Sequence, residues 1–290
     1  MTLKPLRTFF VMTVSFLVSF QTMAAATPST SNSSTTQVKK PTVSPASFSF
    51  GFDISRSTSL VDFQDGSRSD SMDYTFKPAV KLAFGSFSSE MTYSQNLRDE
   101  SSSTENDFAD VPLRFGFNPT KLNLATDYNS RIGYSITVVA PVSKTSTRRD
   151  QLQTAVSTGL SFAMDPLDGQ GPSILAAVTL GRNFHAYEED INGRVLNQYS
   201  SNQTLSLGYG LSDWSFSWAF INRSRLTYQN NTKSAFEMTE ELGYSVNDNF
   251  ALALGHSNSG ATLKPDGTDS NIELINENSS VVYGTLSMSF

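Results

Sequence analysis

The sequence predicts an all-β fold, a transmembrane antiparallel up-and-down β-barrel of about twelve strands, with ten or fourteen as the adjacent counts. Three observations lead there. Apolar residues alternate with small or polar ones at a period of two through nearly all of residues 48–290. Only 38% of the chain is hydrophobic, yet it holds 21 Phe, 10 Tyr and 2 Trp. That is too little aliphatic content for helical spans of about 20 apolar residues each, and too aromatic for a disordered chain. Finally, short and long polar connections alternate along the chain, as strands running up and down through a bilayer require.

The chain opens with Lys4 and Arg7, an apolar run from Phe9 to Phe20, and Met23-Ala24-Ala25-Ala26. These are the charged, apolar and small-residue regions of a secretory signal, with cleavage after Ala26. The apolar run is too short for a membrane anchor. Residues 27–47 are rich in Ser, Thr and Pro and have almost nothing to bury, which reads as a disordered periplasmic leader. Lys39 and Lys40 give it an alternative use in cell-wall contact. The barrel then occupies residues 48–290.

Composition also excludes chemistry. No cysteine means no disulfide, thiolate metal site or cysteine nucleophile. Two histidines, His185 and His256, leave little for a metal centre, and neither metal nor cofactor is expected. A net charge of −6 argues against a nucleic-acid partner.

The alternating segments begin with Phe48, Phe50, Phe52 and Ile54 on one face and Ser49, Gly51, Asp53 and Ser55 on the other. The pattern returns in Tyr74–Phe84, Val111–Phe117, Ile132–Val138, Val156–Phe162 and Ile174–Leu180, and again in Leu205–Leu211, Trp214–Phe220, Phe236–Val246, Phe250–Leu254 and Val282–Phe290. Each segment approaches the roughly 9–11 residues of a tilted spanning strand. A soluble sandwich would turn the large residues inward and guard its edges. Here the second face is Gly, Ala, Ser, Thr and scattered charge, a poor sandwich core and a workable lumen.

The last segment, Val282-Gly284-Leu286-Met288-Phe290, ends the chain on an outward Phe. In this the sequence resembles bacterial, Gram-negative outer-membrane β-barrel proteins of the porin-like class, which finish with a terminal Phe on an amphipathic strand. The resemblance implies a location in the outer membrane, both termini in the periplasm, and lipid and lipopolysaccharide neighbours. It also implies recognition by the barrel-assembly machinery through Val282, Leu286, Met288 and Phe290. Homo-oligomers are compatible with it.

Phe84-Gly85-Ser86-Phe87 and Leu211-Ser212-Asp213-Trp214 read as two-residue hairpins, and Val246–Phe250 as a three-residue one. Two other presumed periplasmic links, Asn118–Asp127 and Asp165–Pro172, are long for that role. The first hairpin sets Lys81 opposite Glu90. By parity Asp53, Lys77, Lys81, Glu90, Arg114, Arg131, Arg223, Arg225, Glu237 and Glu241 all face the lumen. Such charges either select ions or pair into a ladder that keeps a narrow barrel shut. The many small inner residues favour water-filled space, since they cannot fill a twelve-stranded interior.

On the outer face the turn at 247–249 sets Glu240 opposite His256, and Asn222 is expected at a similar height. His256-Ser257-Asn258-Ser259-Gly260 is similar to the His-x-Ser-x-Gly stretch of outer-membrane phospholipases. It departs where Asn258 stands at the nucleophile position and both serines point inward; Ser224 is the substitute on the outer face. Resemblance to omptin-type proteases fails for want of an Asp-His pair.

The long connections are acidic: Asp62, Asp65, Asp70 and Asp73; Asp99, Glu100, Glu105 and Asp107; Glu188 to Asp190; Asp266, Asp269, Glu273 and Glu277. Asp266–Asn271 lacks the full calcium-loop pattern. One connection is basic, with Lys144, Arg148 and Arg149. The expected function is a small passive channel or transporter for small polar or ionic solutes. The alternatives are an occluded barrel acting through its acidic loops and, third, a lipolytic enzyme.

Overall fold

A computed structural model of the chain describes residues 46–60, 69–98, 106–264, 267, 269–277 and 279–290. The expected signal, nearly all of the leader, and Asp62, Asp65, Asp99, Glu100, Glu105 and Asp266 lie outside these residues. The described strands form one antiparallel sheet that closes on itself as a barrel of twelve staves.

The staves are β1 (Ser47–Ser59), β2 (Asp70–Leu82) and β3, in two pieces (Gly85–Ser89 and Met91–Asn96). Stave β4 has three pieces (Asp107–Phe108, Val111–Phe117 and Thr120–Leu122) and is followed by β5 (Tyr128–Ala140) and β6 (Leu152–Pro166). Next come β7 (Gly171–His185), β8 (Asn197–Leu211) and β9 (Trp214–Thr227). The chain ends with β10 (Thr232–Ser245), β11 (Phe250–Ala261) and β12 (Ser280–Ser289). Closure pairs β1 with both β2 and β12, Gly51 standing opposite Lys77 and Ser289.

The breaks within staves have local causes. Ladder register is the same on both sides of Glu90, Ala79 pairing with Ser88 and Phe76 with Met91. Pro78 therefore stands opposite Ser89, and its missing N–H opens the ladder there. In β4, Gly116 pairs with Ser135 but Thr120 with Ile132. That is a one-residue bulge containing Pro119, where a ladder tolerates proline. Residues Thr120–Leu122 of the long 118–127 link thus continue the stave.

The turns test the expected registers. Leu211 pairs with Trp214, Tyr244 with Leu252 and Glu240 with His256, as the sequence predicts. The first hairpin differs: Leu82 pairs with Gly85, so the turn is Ala83-Phe84, and Lys77 rather than Lys81 stands opposite Glu90. Ala83-Phe84-Gly85-Ser86 offers two turn positions, and the one used shifts the pairing by an even number. Every side chain therefore keeps its face.

Many large outward residues are exposed, and most inward ones are not. Leu254 is 61% exposed and Leu160 57%, while Asp53, Ser57 and Thr75 on the inner wall lie below 9%. Burial thus runs opposite to a water-soluble core, as closure within lipid demands. Aromatic rings collect at the short-turn end: Phe50 stacks on Phe290 at 5.3 Å between centroids, and Trp214 meets Tyr244 at 4.8 Å. At the other end Tyr93 meets Phe108 at 5.1 Å, and the Arg182 guanidinium lies 4.9 Å from the Phe184 ring. These are the two interfacial girdles of a spanning barrel.

Phe236 and Asn258 have outward parity yet are 2% and 1% exposed. Glu273 and Ser279, beyond β11, reach back to Asn258. The Asn258 amide donates to the Glu273 carbonyl at 2.6 Å and accepts from the Ser279 hydroxyl at 2.6 Å.

Candidate functional site

The inner wall divides into two arcs. One runs from β9 through the closing seam to β3 and carries most of the charge. Lys77 pairs with Asp53, and Arg223 with Glu237. Glu90 stands opposite Lys77, and Glu241 lies within electrostatic reach of Lys77 and Asp53. The Tyr283 hydroxyl donates to Glu241 Oε2 at 3.0 Å. Sequence reasoning passed over Tyr283, although its signal was available: a large ring at inward parity, opposite Gly255. Arg225, opposite Ser200 and Lys233, extends this arc toward the long connections.

The other arc, β5 to β8, is small and neutral through its middle. Gly133, Thr137, Ser157, Gly159, Ser161, Ala177 and Thr179 are half-buried, so space inside the barrel borders this wall. Two arginines lie at its margin. Arg114 Nη2 donates to the Ser135 hydroxyl at 3.3 Å. Arg131 pairs with Asp165 at 2.6 Å, a partner absent from the sequence reading. Lys81 stands near the short-turn end, opposite Ser47 and Ser86. Among the expected lumen charges, Lys77 with Asp53, Arg223 with Glu237 and Arg131 with Asp165 form ion pairs, while Arg114 hydrogen-bonds to Ser135. The lumen thus presents charge on one side and hydroxyls and backbone on the other.

At the long-connection end, carboxylates organise the rim. Asp110 accepts the Val142 and Ser143 amides, each at 3.0 Å, and the Ser146 hydroxyl. Asp107 accepts the Lys144 amide at 2.7 Å. Asp190 accepts the Asn192 and Arg194 amides at 2.8 Å each. Partial desolvation alone would raise the Asp190 pKa. The Arg194 and Asn192 amides, with the Arg149 and Arg194 charges, outweigh it and hold the carboxyl below its ordinary value. Arg149, hydrogen-bonded to Asp150 and near Asp190, is raised above the usual arginine value. These acidic residues hold the loops together, and Asp190 is itself buried in doing so.

The outward polar spot is only partly assembled. His256 Nδ1 lies 3.8 Å from Glu240 Oε2. Asn222 is not with them, which corrects the expected grouping: it stands opposite Phe236, and its amide donates to Gln203 at 2.7 Å. Glu240 stands opposite Trp218, four residues lower on the same stave, because the β9–β10 pairing runs from the 228–231 turn and not from an assumed height. Nor does a nucleophile join the pair. The residue two beyond His256 on its face is Asn258, buried and engaged by Glu273 and Ser279. Ser224 stands opposite Ser234, well up the barrel wall.

No protein-family model matches the chain, and no curated protein sequence matches it. Among solved structures, an outer membrane channel from Pseudomonas putida F1 superposes with a TM-score of 0.56 at 10% identity, covering 84% of this chain and 95% of that one. The chain has the fold of an outer-membrane channel. The NanC porin gives a TM-score of 0.47 at 15% identity, covering 82% and 98% of the two chains. The KdgM porin gives 0.42 at 7%, covering 83% and 99%.

Proposed function

We propose that this chain resides in the bacterial outer membrane, with both termini periplasmic, and acts as a passive channel for small polar or ionic solutes. The observation that carries the reading is the two-sided lumen. Half-buried small residues along β5 to β8 face an arc holding Asp53, Lys77, Glu90, Glu237 and Glu241. Fixed charge beside open, hydroxyl-lined space attracts small ions and polar solutes and orders them by sign. The fold shared with the Pseudomonas putida channel supports it.

On this reading residues 1–26 direct secretion and are removed, and residues 27–47 remain as a periplasmic leader. Val282, Leu286, Met288 and Phe290 present the closing strand to the assembly machinery, and lipopolysaccharide surrounds the outer rim. Purified, heat-modifiable protein in a planar bilayer gives discrete conductance steps. Folded protein that gives none would leave the second reading, an occluded barrel acting through its loops. The paired charges Lys77–Asp53, Arg223–Glu237 and Arg131–Asp165 favour that second reading. The lipolytic reading predicts phospholipid turnover that His256→Ala abolishes; with Asn258 at the nucleophile position, no turnover is expected from either protein.

A further inference from the structure

An apolar hollow on the outer face lies over the closing seam. It has a volume of about 690 Å³ and runs from Arg56 past Ile54, Leu254, Leu286 and Gly284 down to Trp214 and Tyr244 of the short-turn girdle. These residues have outward parity, so the hollow opens to the surroundings of the barrel and not to the lumen. Its floor exists because residue 284 has no side chain. A Cβ there would meet nothing nearer than the Ala253 carbonyl oxygen at 3.9 Å.

One charge borders the hollow. Arg56 stands opposite Gly284 on β12 and Met72 on β2. It is exposed, and it makes no ion pair or hydrogen bond with any described residue. An arginine on an apolar barrel face is destabilising near the bilayer centre and tolerable near the interface, where it reaches an anion. Arg56 lies about 20 Å along the strand from the Phe50–Phe290 girdle. It is three residues from the end of β1 at the long-connection side. The other outward arginine, Arg182, already lies over the Phe184 and Tyr199 rings.

We propose that this groove binds one lipopolysaccharide molecule of the outer leaflet, an acyl chain lying over Gly284 and a lipid phosphate resting on the Arg56 guanidinium. Charge complementarity selects the occupant: a phosphorylated, multiply acylated glycolipid supplies both the chain for the hollow and the anion for its single cation. A second copy of this chain would have to bring a carboxylate to the same place. The inference rests on the outer-membrane placement proposed above but not on channel activity.

The test uses full-length mature protein refolded in lipid-free non-ionic micelles and titrated with purified lipopolysaccharide or, separately, phosphatidylglycerol. Native mass spectrometry and thermal unfolding are the readouts. The expected result is one lipopolysaccharide per barrel and a rise in unfolding temperature. Arg56→Gln should weaken binding about tenfold, the loss of one charge-assisted phosphate contact. Gly284→Leu, which fills the hollow without displacing backbone, should weaken it by a similar factor. Arg182→Gln should change it less than about twofold. Equal binding by all four proteins, equal or tighter binding of phosphatidylglycerol, or a dimer dispersed by Gly284→Leu would each overturn the proposal. Conductance on the same preparation reports the channel reading separately. Absence of the protein from outer-membrane fractions would overturn the placement and this site together.

Discussion

Tyr283 lies across Gly255 on the inner wall, and its hydroxyl reaches Glu241 one stave further on at 3.0 Å. A Cβ on Gly255 would stand 2.1 Å from the ring, so the ring keeps its place only over glycine. Gly255→Ala should displace Tyr283 and lower stability by about 1–3 kcal/mol, the usual range for overpacking. Tyr283→Phe should cost about 1.5–3 kcal/mol, the value of a hydrogen bond to a charged group. Urea unfolding in micelles measures both. In the Tyr283→Ala background Gly255→Ala should cost little; an undiminished penalty there would mean that the ring is not what the methyl meets.

The Arg223–Glu237 pair has side chains only 15% and 13% exposed. Removing one partner leaves the other charge uncompensated. Arg223→Met should therefore destabilise the barrel by about 3–5 kcal/mol, while Arg223→Met with Glu237→Met recovers most of the loss. The shift of band mobility with temperature on semi-native gels follows this directly. A double variant no better than the single one would show that the pair is not coupled.

Ion selectivity should respond to Arg114 and Lys81, which border the small neutral arc and the short-turn end, more than to the ion-paired Lys77. Arg114→Glu and Lys81→Glu should each shift the zero-current potential in a salt gradient toward cation preference. Lys77→Glu should mainly reduce folded yield, since it sets a third carboxylate beside Asp53 and Glu90. Unchanged zero-current potentials in folded Arg114→Glu and Lys81→Glu protein would mean that neither side chain borders the path.

The loop after β7 should loosen in acid. Because the folded pKa of Asp190 is depressed, its contribution is complete above the unfolded carboxylate pKa and is lost as pH falls through the folded value. Pepsin cleavage within residues 186–196 should accelerate as pH falls below the ordinary aspartate range of about 3.9. Asp190→Ala should be cut quickly throughout. A wild-type rate that ignores pH would show that the carboxylate does not hold this loop.

Most of the barrel is legible in the sequence because a period of two assigns each side chain to a face without knowledge of its neighbours. Leu211–Trp214 and Val246–Phe250 also fix their registers, since each has one reasonable turn. Ala83–Ser86 has two, and only packing chooses between them. Pro119 looks like a loop residue because the sequence does not reveal that a bulge accommodates it. Asn222 was misplaced because height on a tilted stave depends on pairings further along the wall. Asn258 reads as lipid-facing, and parity cannot say that Glu273 and Ser279 engage it. Arg56 was within reach, an arginine at outward parity, but its significance depends on the hollow that Gly284 leaves beside it.

The seam joins the two ends of the chain: the Thr285 hydroxyl donates to that of Ser55 across 230 residues of sequence. No edge is satisfied until the final strand arrives, so every incomplete chain carries two unpaired strand borders. Ring closure is thus the most non-local event in folding, and its rate must bear the entropy of the whole intervening loop. A chain truncated before Ser280 would not be a slightly smaller barrel. It would be an open sheet with adhesive margins, prone to aggregate.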